Sequence, residues 1–467
     1  MRAKTFVVED PATLQPIAEL ADGGAEEARL AVDRASAAFP EWSTCPPRDR
    51  SDILRRAFDL VSARQGDLAE MVCRENGKSR ADADAEVSYA AEFLRWYSEE
   101  AVRPGGGYAE APSGGARSIV RHRPVGVAAL VTPWNFPAAM VTRKVAPALA
   151  AGCTAVLKPA SETPLTALAI VDALRESGLP EGCLELLTTT DHEAVVGGWL
   201  ADPRVRKLSF TGSTAVGRQL LRQAADRVLN CSMELGGNAQ FIVLDDADLD
   251  GAVAAAMTAK FRNGGQACTA ANRLYVHERV ADDFTGRLGA EVSSLRVGLS
   301  SQGCDIGPLI SARAVDALEA KVDAAVRAGA RVTHQAPAPE LPGHFVAPRV
   351  VCDVRRDAAL VCDEVFGPVA PVVTWRDERE LLGWVNGSEV GLAAYVFAGD
   401  VGRALRFAEG IEAGMVGINR GVVSDPSAPF GGVKQSGLGR EGGREGLRAF
   451  QEVQYVSLDW PATAVAS

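Results

Sequence analysis

The stretch VGVAALVTPWNFP, residues 125–137, decides the fold class because it joins a strand-like run to an abrupt turn. Residues 125–131 are nearly all apolar, as in a strand that is covered on both faces. Two prolines and Asn135 then end the run. The same arrangement recurs downstream, where short apolar runs end in KPAS (158–161), TGST (211–214) and ELGG (234–237).

Helical patterns alternate with strand-like runs through most of the chain. The other strand-like runs are at 154–157, 184–187, 208–210, 230–233, 241–244, 273–276 and 415–419. Helical spacing of apolar residues occurs at 249–262 and 314–329. We therefore predict an α/β fold with parallel sheets covered by helices, in which ligands bind at the carboxyl ends of the strands. The candidate residues that follow strands at that end are Asn135, Lys158, Ser213 and Glu234.

The two ends of the chain have different patterns. Residues 1–105 are predicted to form a short strand or two followed by helices at 26–38, 48–70 and 86–102, with a break at 104–107. Residues 116–123 and 452–458 alternate between polar and apolar, which is typical of exposed strands. We predict that these two segments pair with each other or with a partner subunit.

Composition and charge disfavour several classes of protein. The chain has 467 residues, 47% hydrophobic and 23% charged, a length that allows two or three domains. No apolar run reaches the roughly 18 residues that span a bilayer, and residues 1–11 lack an apolar signal core. The formal net charge of −11 disfavours nucleic acid and anionic membranes as partners.

Cysteine and histidine usage limits the chemistry. The nine cysteines are scattered without CxxC spacing, which suits a reducing cytoplasm better than disulfides or a zinc site. We therefore expect a cytoplasmic protein without a metal site. The five histidines stand alone, without an HExxH or serine-triad pattern, so histidine is not expected to carry the chemistry.

One cysteine lies in an unusually open segment, FRNGGQACTAAN (261–272). Two glycines and several small residues surround Cys268, which would let a substrate and backbone N–H groups approach its thiol. A lone cysteine is more often a small buried hydrophobic residue. Cys268 is therefore a candidate nucleophile whose support must come from the rest of the chain.

Four other segments could supply what a cysteine nucleophile needs. Asn135 could donate to an oxyanion and Glu234 could activate water, although a turn asparagine and an ion-paired glutamate are the ordinary interpretations. Lys158 could reach a phosphate or a ribose, or be a surface lysine. TGST (211–214) could hold a phosphate at a helix N-terminus or only cap that helix. A GxGxxG fingerprint is absent.

Ordered strings across nearly the whole chain point to one family. They are TPWNFP (132–137), LKPAS-TP (157–164), SFTGST (209–214), MELGG (233–237), GQAC (265–268), EVFGP (364–368) and PFGG-K-SG-GRE (429–441). With these strings at their spacing, the chain resembles the aldehyde dehydrogenase superfamily over residues 10–456. The resemblance implies an aldehyde dehydrogenase-like α/β fold with two parallel-sheet Rossmann-like domains and a small β oligomerisation flap.

The resemblance also implies a domain organisation. Residues 1–105 and 125–234 would form the NAD(P)-binding domain, and 235–435 the catalytic domain. Residues 106–124 and 436–467 would form the oligomerisation strands and tail. A homodimer or homotetramer is expected.

By the same resemblance, Cys268 would attack an aldehyde to give a thiohemiacetal. The Asn135 amide and the Cys268 backbone N–H would hold the oxyanion. Hydride transfer to a nicotinamide would leave a thioester, and Glu234 would activate the water that releases a carboxylate. Lys144 matches a lysine near the active centre that is associated with proton relay.

The implied cofactor is NADP or NAD. The matching cofactor-binding residues are Thr132, Pro133, Trp134, Lys158, Ser161, Thr211, Gly212, Ser213, Glu364 and Phe366. Relatives that prefer NAD commonly have a glutamate where this chain has Ser161, and a carboxylate there would repel a 2′-phosphate. Because Ser161 is neutral and Lys158 is near it in sequence, we expect a preference for NADP, with NAD tolerated.

Within the superfamily, the chain is most similar to succinate-semialdehyde dehydrogenases. In those enzymes, residues that match Arg143, Arg262 and Ser424 hold the distal carboxylate of the substrate, and we assign Phe430 to the same site. Arginine suits this role because it makes bidentate, charge-assisted pairs with carboxylates. The expected reaction is therefore oxidation of succinate semialdehyde to succinate.

Three alternatives stay open. Arg420 and the DPS loop (425–427) depart from the usual pattern, which leaves glutarate semialdehyde or another ω-oxo acid as a substrate. Arg143 and Arg262 could instead form structural ion pairs, and the substrate would then be a neutral aliphatic or aromatic aldehyde. A non-catalytic binding protein on the same fold is disfavoured because the nucleophile, the oxyanion donor and the water-activating glutamate are all intact.

Overall fold

The computed structural model describes residues 4–103 and 105–460. Pro104, part of the predicted helix-breaking segment, lies outside the described residues. So do the outermost parts of the predicted first and last domain segments, 1–3 and 461–467.

The helices alternate with strands over most of the described chain. They are α1 (Ala25–Thr44), α2 (Pro47–Ala63), α3 (Gln65–Asn76), α4 (Arg80–Ala101), α5 (Pro137–Ala151), α6 (Leu165–Glu176), α7 (His192–Ala201), α8 (Thr214–Ala225), α9 (Leu249–Phe261), α10 (Ala281–Ser294), α11 (Ala312–Arg327), α12 (Ala359–Cys362), α13 (Glu378–Asn386), α14 (Val401–Glu409) and α15 (Gly443–Arg448). Short 3₁₀ turns lie at Arg262–Gly265 and Ser300–Gln302.

The strands are short, and the parallel strands of the two large sheets are mostly buried. They are β1 (Thr5–Glu9), β2 (Pro16–Ala21), β3 (Gly106–Glu110), β4 (Ala116–Pro124), β5 (Val127–Val131), β6 (Thr154–Lys158), β7 (Leu184–Leu186), β8 (Val205–Thr211), β9 (Asn230–Glu234), β10 (Ala239–Val243), β11 (Ala271–His277), β12 (Arg331–Gln335), β13 (Arg349–Cys352), β14 (Val369–Trp375), β15 (Val390–Gly391), β16 (Ala393–Phe397), β17 (Met415–Ile418), β18 (Val433–Lys434), β19 (Gly437–Leu438) and β20 (Gln451–Asp459).

The first sheet has six strands in the order β19-β9-β8-β5-β6-β7, and β19 is its antiparallel member. Every residue of β5 and β6 is buried. Helices α2 to α6 pack on one face, and α1, α7 and α8 pack on the other. The predicted parallel sheet covered by helices is confirmed, and the continuous apolar runs are explained by burial on both faces.

The second sheet has seven strands in the order β12-β13-β14-β11-β10-β16-β17, and β12 is its antiparallel member. Helices α9 and α10 cover one face, and α11, α13 and α14 cover the other. Its core is built in the same way as that of the first sheet.

A third sheet is antiparallel, with the order β20-β4-β3. Strand β20 pairs with β4 along its whole length, with Val453 opposite His122, so the predicted pairing of the two alternating segments within the chain is confirmed. The residue pattern does not predict β3, because its glycines lie in the segment that was assigned to a break, although the resemblance implies oligomerisation strands within 106–124. Two-stranded sheets are formed by β1 with β2 and by β15 with β18.

The helix limits near the site follow from local capping. Ser79 accepts a hydrogen bond from the Asp82 N–H (3.2 Å) and begins α4. Helix α3 ends at Gly77, whose φ of 85° is a left-handed conformation that glycine adopts without strain. The prediction of one helix over 48–70 is wrong, because a break at Arg64 separates α2 from α3. Apolar spacing continues across that break, so periodicity does not reveal it.

In the part of the chain that the structure describes, no helix has both the length and the apolar character required to cross a bilayer. The division into domains at about residues 105, 124, 234 and 435 stays a prediction.

Candidate active site

One cavity of about 420 Å³ lies where the carboxyl edge of the first sheet faces the amino edge of the second. Most of the residues predicted for the site line it. These are Pro133, Trp134, Asn135, Arg143, Thr211, Gly212, Ser213, Glu234, Arg262, Cys268, Glu364, Phe366, Ser424 and Phe430. Thr132, Lys144, Lys158 and Ser161 lie outside this lining. Residues that are far apart in sequence thus converge on one space that could hold a small ligand.

Cys268 lies between the 3₁₀ turn and β11, at the amino edge of the second sheet. Asn263, Gly264 and Gly265 in the turn all have positive φ, so the chain reverses sharply before the thiol. A Cβ on Gly237 would collide with the carbonyl oxygen of Cys268. Glycine therefore lets the segment that follows β9 approach Cys268.

Burial and the neighbouring charges shift the pKa of the Cys268 thiol in opposite directions. Burial raises the pKa of the thiol to about 12, and the carboxyl groups of Glu364 and Glu234 act in the same direction. Arg143 and Arg262 oppose this increase in the pKa. A thiol with so high a pKa is protonated at neutral pH, so a base must accept its proton before it can attack.

Asn135 is buried in the turn after β5 and faces the cavity. Its Nδ2 donates to the carbonyl oxygen of Gln266 (3.0 Å), in the segment that leads to Cys268. An amide nitrogen carries two hydrogens, so one N–H remains for an oxyanion. The asparagine thus links the two sheets and also keeps a donor for a ligand.

Glu234 ends β9 and is buried. Neither of its carboxyl oxygens has a hydrogen-bond partner among the described residues. Burial holds its pKa well above the usual range and Glu441 adds to the increase, while Lys144 and Arg143 oppose it. A buried, unpartnered carboxyl group with a raised pKa is suited to act as a base near neutral pH.

Lys144 lies behind Glu234 instead of in the cavity wall. Its ammonium group forms a buried ion pair with Glu441 and donates to Ser209 Oγ (3.0 Å). The sequence interpretation did not assign Glu441, although that residue ends the quoted string GRE (439–441). Lys144 and Glu441 are therefore placed to influence the protonation of Glu234 with opposite signs.

Arg143 forms the centre of a polar cluster at the substrate end. Its Nη2 donates to Tyr89 Oη (2.6 Å) and to Ser424 Oγ (3.2 Å), and these two hydroxyl groups also contact each other. Its guanidinium group lies 4.1 Å from the ring centroid of Phe430. Tyr89 comes from α4 and was not predicted, because a lone tyrosine in a helical pattern carries no motif.

Arg262 reaches the same cavity from the other side, with its guanidinium group 5.6 Å from the ring centroid of Phe136. Buried Nε atoms of both Arg143 and Arg262 lack hydrogen-bond partners among the described residues. Neither arginine pairs with a carboxylate there, which disfavours the alternative of structural ion pairs. Arg420, the departure noted in the sequence, is exposed and does not line the cavity.

The opposite end of the cavity suits a nicotinamide dinucleotide. Phe366 packs edge-on against Trp134, with ring centroids 5.5 Å apart. The buried Thr211 hydroxyl group lacks a partner among the described residues. Ser213 both lines the cavity and caps α8, so the N-terminus of that helix opens toward the space. A flat ring and an anionic phosphate thus each find complementary groups.

Glu364 lies at this end of the cavity and carries a buried carboxyl group. Its carboxylate accepts the Gly237 N–H (3.3 Å), and burial raises its pKa to about 7. A Cβ on Gly265 would collide with the carbonyl oxygen of Gly367, so glycine also allows this segment to approach the turn before Cys268.

Three predicted cofactor residues lie beyond the cavity lining. Lys158 is buried, donates to the carbonyl oxygen of Pro159 (2.9 Å), and has its pKa lowered to about 8 by burial. Its own carbonyl oxygen accepts the Thr132 N–H (3.2 Å). Ser161 lies in a separate surface depression, where its hydroxyl group donates to Glu162 (3.1 Å). Their roles stay predictions.

The chain is similar to known proteins over nearly its whole length. The family model described as "Aldehyde dehydrogenase family" matches residues 1–456. The chain is 51% identical to a succinate-semialdehyde dehydrogenase of Paenarthrobacter nicotinovorans, over 95% of this chain and 99% of that protein. It is 47% identical to a glutarate-semialdehyde dehydrogenase of Pseudomonas aeruginosa, over 97% of this chain and 94% of that protein.

Among solved structures, the E. coli NADP dependent enzyme superposes with a TM-score of 0.96 and 45% identity, over 98% of this chain and 95% of that one. The expected aldehyde dehydrogenase-like fold is thereby confirmed. The chain belongs to the aldehyde dehydrogenase family of NAD(P)-dependent oxidoreductases.

Proposed function

We propose that the protein oxidises succinate semialdehyde to succinate and prefers NADP. The observation that carries this proposal is the placement of Arg143, Arg262 and Ser424 around the same cavity as Cys268. Two cations that have no carboxylate partner among the described residues offer charge-assisted hydrogen bonds to an acidic tail while the aldehyde faces the thiol.

The first step is attack by Cys268. Glu234 accepts the thiol proton, and the sulfur forms a bond to the aldehyde carbon, giving a thiohemiacetal. The free N–H of Asn135 and the backbone N–H of Cys268 stabilise the negative charge on the oxygen. Arg143 and Arg262 hold the carboxylate, so the reacting carbon is oriented before attack.

The second step releases the acid. The bound nicotinamide ring supplies the hydride acceptor that makes this an oxidation. After the hydride has left, the carbon is held to Cys268 as a thioester. Glu234, which has by then released the thiol proton to solvent, takes a proton from water so that the hydroxide adds to the thioester carbon. The carbon–sulfur bond then breaks, and the leaving thiolate takes the proton back from Glu234, which restores the thiol. The acid loses its own proton to solvent and becomes a carboxylate. Lys144 and Glu441 set how readily Glu234 holds that proton.

The preference for NADP is supported by Ser161. A hydroxyl group there does not repel a 2′-phosphate as a glutamate would, and Lys158 is three residues away in the same segment. The E. coli structure to which the chain is similar is named as NADP dependent. Ser161 donates to Glu162, so the Ser161 hydroxyl group must give up that hydrogen bond before it can bind a 2′-phosphate. NAD would therefore still be accepted.

Glutarate semialdehyde is a second candidate substrate. The similarity to a glutarate-semialdehyde dehydrogenase favours it, and that substrate is longer by one methylene but has the same terminal carboxylate. The arginines would bind both acids, so chain length decides between them.

The experiment that tests the proposal is a panel of aldehydes of varied length and charge, each assayed with NAD and with NADP. We expect the highest kcat/KM for succinate semialdehyde with NADP. Equal kcat/KM for a neutral aldehyde of the same length would contradict the acidic substrate. A higher kcat/KM with NAD would contradict the cofactor preference, and no turnover of any aldehyde would favour a non-catalytic protein.

We also propose that the protein is a cytoplasmic homodimer or homotetramer. The three-stranded sheet exposes large apolar side chains, with Tyr108, Val453 and Tyr455 each at least 60% exposed. Such a patch favours contact with a second copy of the chain. All nine cysteines are free thiols, which suits a reducing compartment. Light scattering of the purified protein and cell fractionation test the two statements.

A further inference from the structure

A buried ion pair, Lys78–Glu86, lies directly behind Asn135. Lys78 Nζ is 2.5 Å from Glu86 Oε2, and neither side chain is exposed. Among the ion pairs of the described residues, only this pair and Lys144–Glu441 have both side chains buried. Desolvation makes a buried pair a poor source of stability compared with apolar packing. The reason for this buried pair should therefore lie in the other groups that Lys78 and Glu86 contact.

Lys78 fixes the backbone of Asn135. Its ammonium group donates to the carbonyl oxygen of Asn135 (2.8 Å), which also accepts a hydrogen bond from Asn263 Nδ2 (2.9 Å). The same ammonium group lies 4.3 Å from the ring centroid of Phe136. The peptide group after Asn135 is thus held by two donors and cannot rotate without losing both.

Glu86 connects this contact to the start of α5. Its Oε1 accepts the N–H groups of Ala138 (2.8 Å) and Ala139 (3.3 Å). These N–H groups belong to the first turn of the helix, where a carboxylate is stabilised by free donors and by the helix dipole. The pair therefore holds both sides of the turn that carries Asn135, and α5 continues from that turn to Arg143.

We propose that Lys78 and Glu86 are positioning residues for the oxyanion site. Lys78 orients the Asn135 backbone so that one side-chain N–H stays directed at the cavity while the other bonds Gln266. Glu86 holds Lys78 and the first turn of α5 in register. This inference rests on the proposed role of Asn135. Because the oxyanion exists only after the aldehyde has bound, loss of the pair should lower kcat and leave KM and cofactor affinity unchanged.

A double-mutant cycle in kcat tests this directly. We expect Lys78→Met to lower kcat by roughly 10- to 100-fold in the native background, somewhat less than the loss of an oxyanion donor itself. In the Asn135→Ala background the same change should lower kcat by less than about threefold, because the group that it positions is absent. Cofactor dissociation constants, measured by fluorescence titration, should stay within about twofold of the native value.

Two further variants distinguish an effect on catalysis from a loss of folding. Lys78→Met leaves Glu86 buried without its partner, so the combined change Lys78→Met with Glu86→Gln removes both charges at similar volume. Arg50→Met is the matched control. Arg50 is a buried cation that donates to the carbonyl oxygen of Ala150 (3.1 Å) at the other end of α5, away from the cavity. The combined variant should lose kcat, and the control should retain it.

The possible outcomes distinguish the proposed role of Asn135 from the positioning role of Lys78 and Glu86. If Asn135→Ala alone leaves kcat unchanged, the proposed role of Asn135 and the positioning role both fail. If Asn135→Ala lowers kcat but Lys78→Met has the same effect in both backgrounds, only the positioning role fails. Equal losses in Arg50→Met and the combined variant would indicate general destabilisation and would also overturn it.

Discussion

The two large sheets contribute to the cavity through opposite ends of their strands. The six-stranded sheet offers its carboxyl edge, where Asn135 follows β5 and Glu234 ends β9. The seven-stranded sheet offers its amino edge, where Cys268 precedes β11 and Glu364 precedes β14. The rule that parallel sheets bind ligands at their carboxyl ends therefore explains only one wall of the site.

This difference suggests that the two sheet edges have different functions. The carboxyl edge presents groups that end buried strands and have little freedom, such as the amide of Asn135. The amino edge presents the thiol on a turn with three positive φ values, which needs glycines and close contacts to keep its shape. We infer that the first wall stabilises charge and the second supplies the nucleophile.

The variant Cys268→Ser is the strongest test of these different functions of the two edges. A serine hydroxyl group is a far weaker nucleophile, so kcat should fall by at least ~10⁴-fold. The cofactor-binding groups are untouched, and fluorescence titration should show an unchanged cofactor dissociation constant. Full turnover by the variant would show that the amino edge does not carry the chemistry.

Glu234→Gln tests the carboxyl edge. Loss of the base should lower steady-state kcat by roughly 10³-fold, within the range for general-base catalysis. If thioester hydrolysis is the step affected most, rapid mixing should still show a burst of reduced cofactor before the slow steady state. Unchanged steady-state turnover would remove Glu234 from the mechanism.

Arg143→Leu tests whether both walls hold the same carboxylate. Loss of a charge-assisted hydrogen bond should lower kcat/KM for succinate semialdehyde by ~10²-fold and leave a neutral aldehyde of equal length almost unaffected. Arg262→Leu is the matched change from the other wall and should show the same selectivity. Equal effects on acidic and neutral aldehydes would contradict the proposed substrate.

Ser161→Glu tests the part of the carboxyl edge that lies outside the cavity. A second carboxylate beside Glu162 should repel a 2′-phosphate and shift the ratio of NADP to NAD dissociation constants by roughly 10-fold toward NAD. Ser161→Ala serves as the uncharged control. An unchanged ratio in the glutamate variant would show that the 2′-phosphate binds elsewhere.

The smallest expected effect is a shift of the acid limb of kcat. Glu234 acts as a base only when ionised, so its raised pKa means that activity is lost as the pH falls through that value. Lys144→Met removes a charge that lowers this pKa, and the limb should move to higher pH. Glu441→Gln removes a charge that raises it, and the limb should move to lower pH. Shifts in the same direction would contradict this assignment.

Much of the first wall could be predicted from the sequence. Apolar strands such as 125–131 are readable because burial on both faces leaves a continuous signal, and the residues that follow them are easily located. The position of Cys268 before a strand could be found only from its glycine-rich motif. Strand rules alone would have placed the nucleophile at the wrong edge.

Besides Glu441, the side chains that were missed come from α4 or the segment just before it. Tyr89, Lys78 and Glu86 reach the site from α4 and the segment before it, far in sequence from their partners. Each fits an ordinary helical or capping pattern, and nothing local shows that it contacts Ser424, Asn135 or the start of α5. Long-range contacts of this kind follow from how the elements pack, which periodicity does not contain.

Strand β19 has a consequence for the timing of folding. Gly437 and Leu438 close the edge of β9 at Glu234 and Met233, and Glu441 lies three residues after β19. A ribosome makes β9 long before it makes β19, so the nascent chain carries an open strand edge that can pair with other chains. We expect activity only after the chain has been made as far as Glu441, and chains released before residue 437 should aggregate.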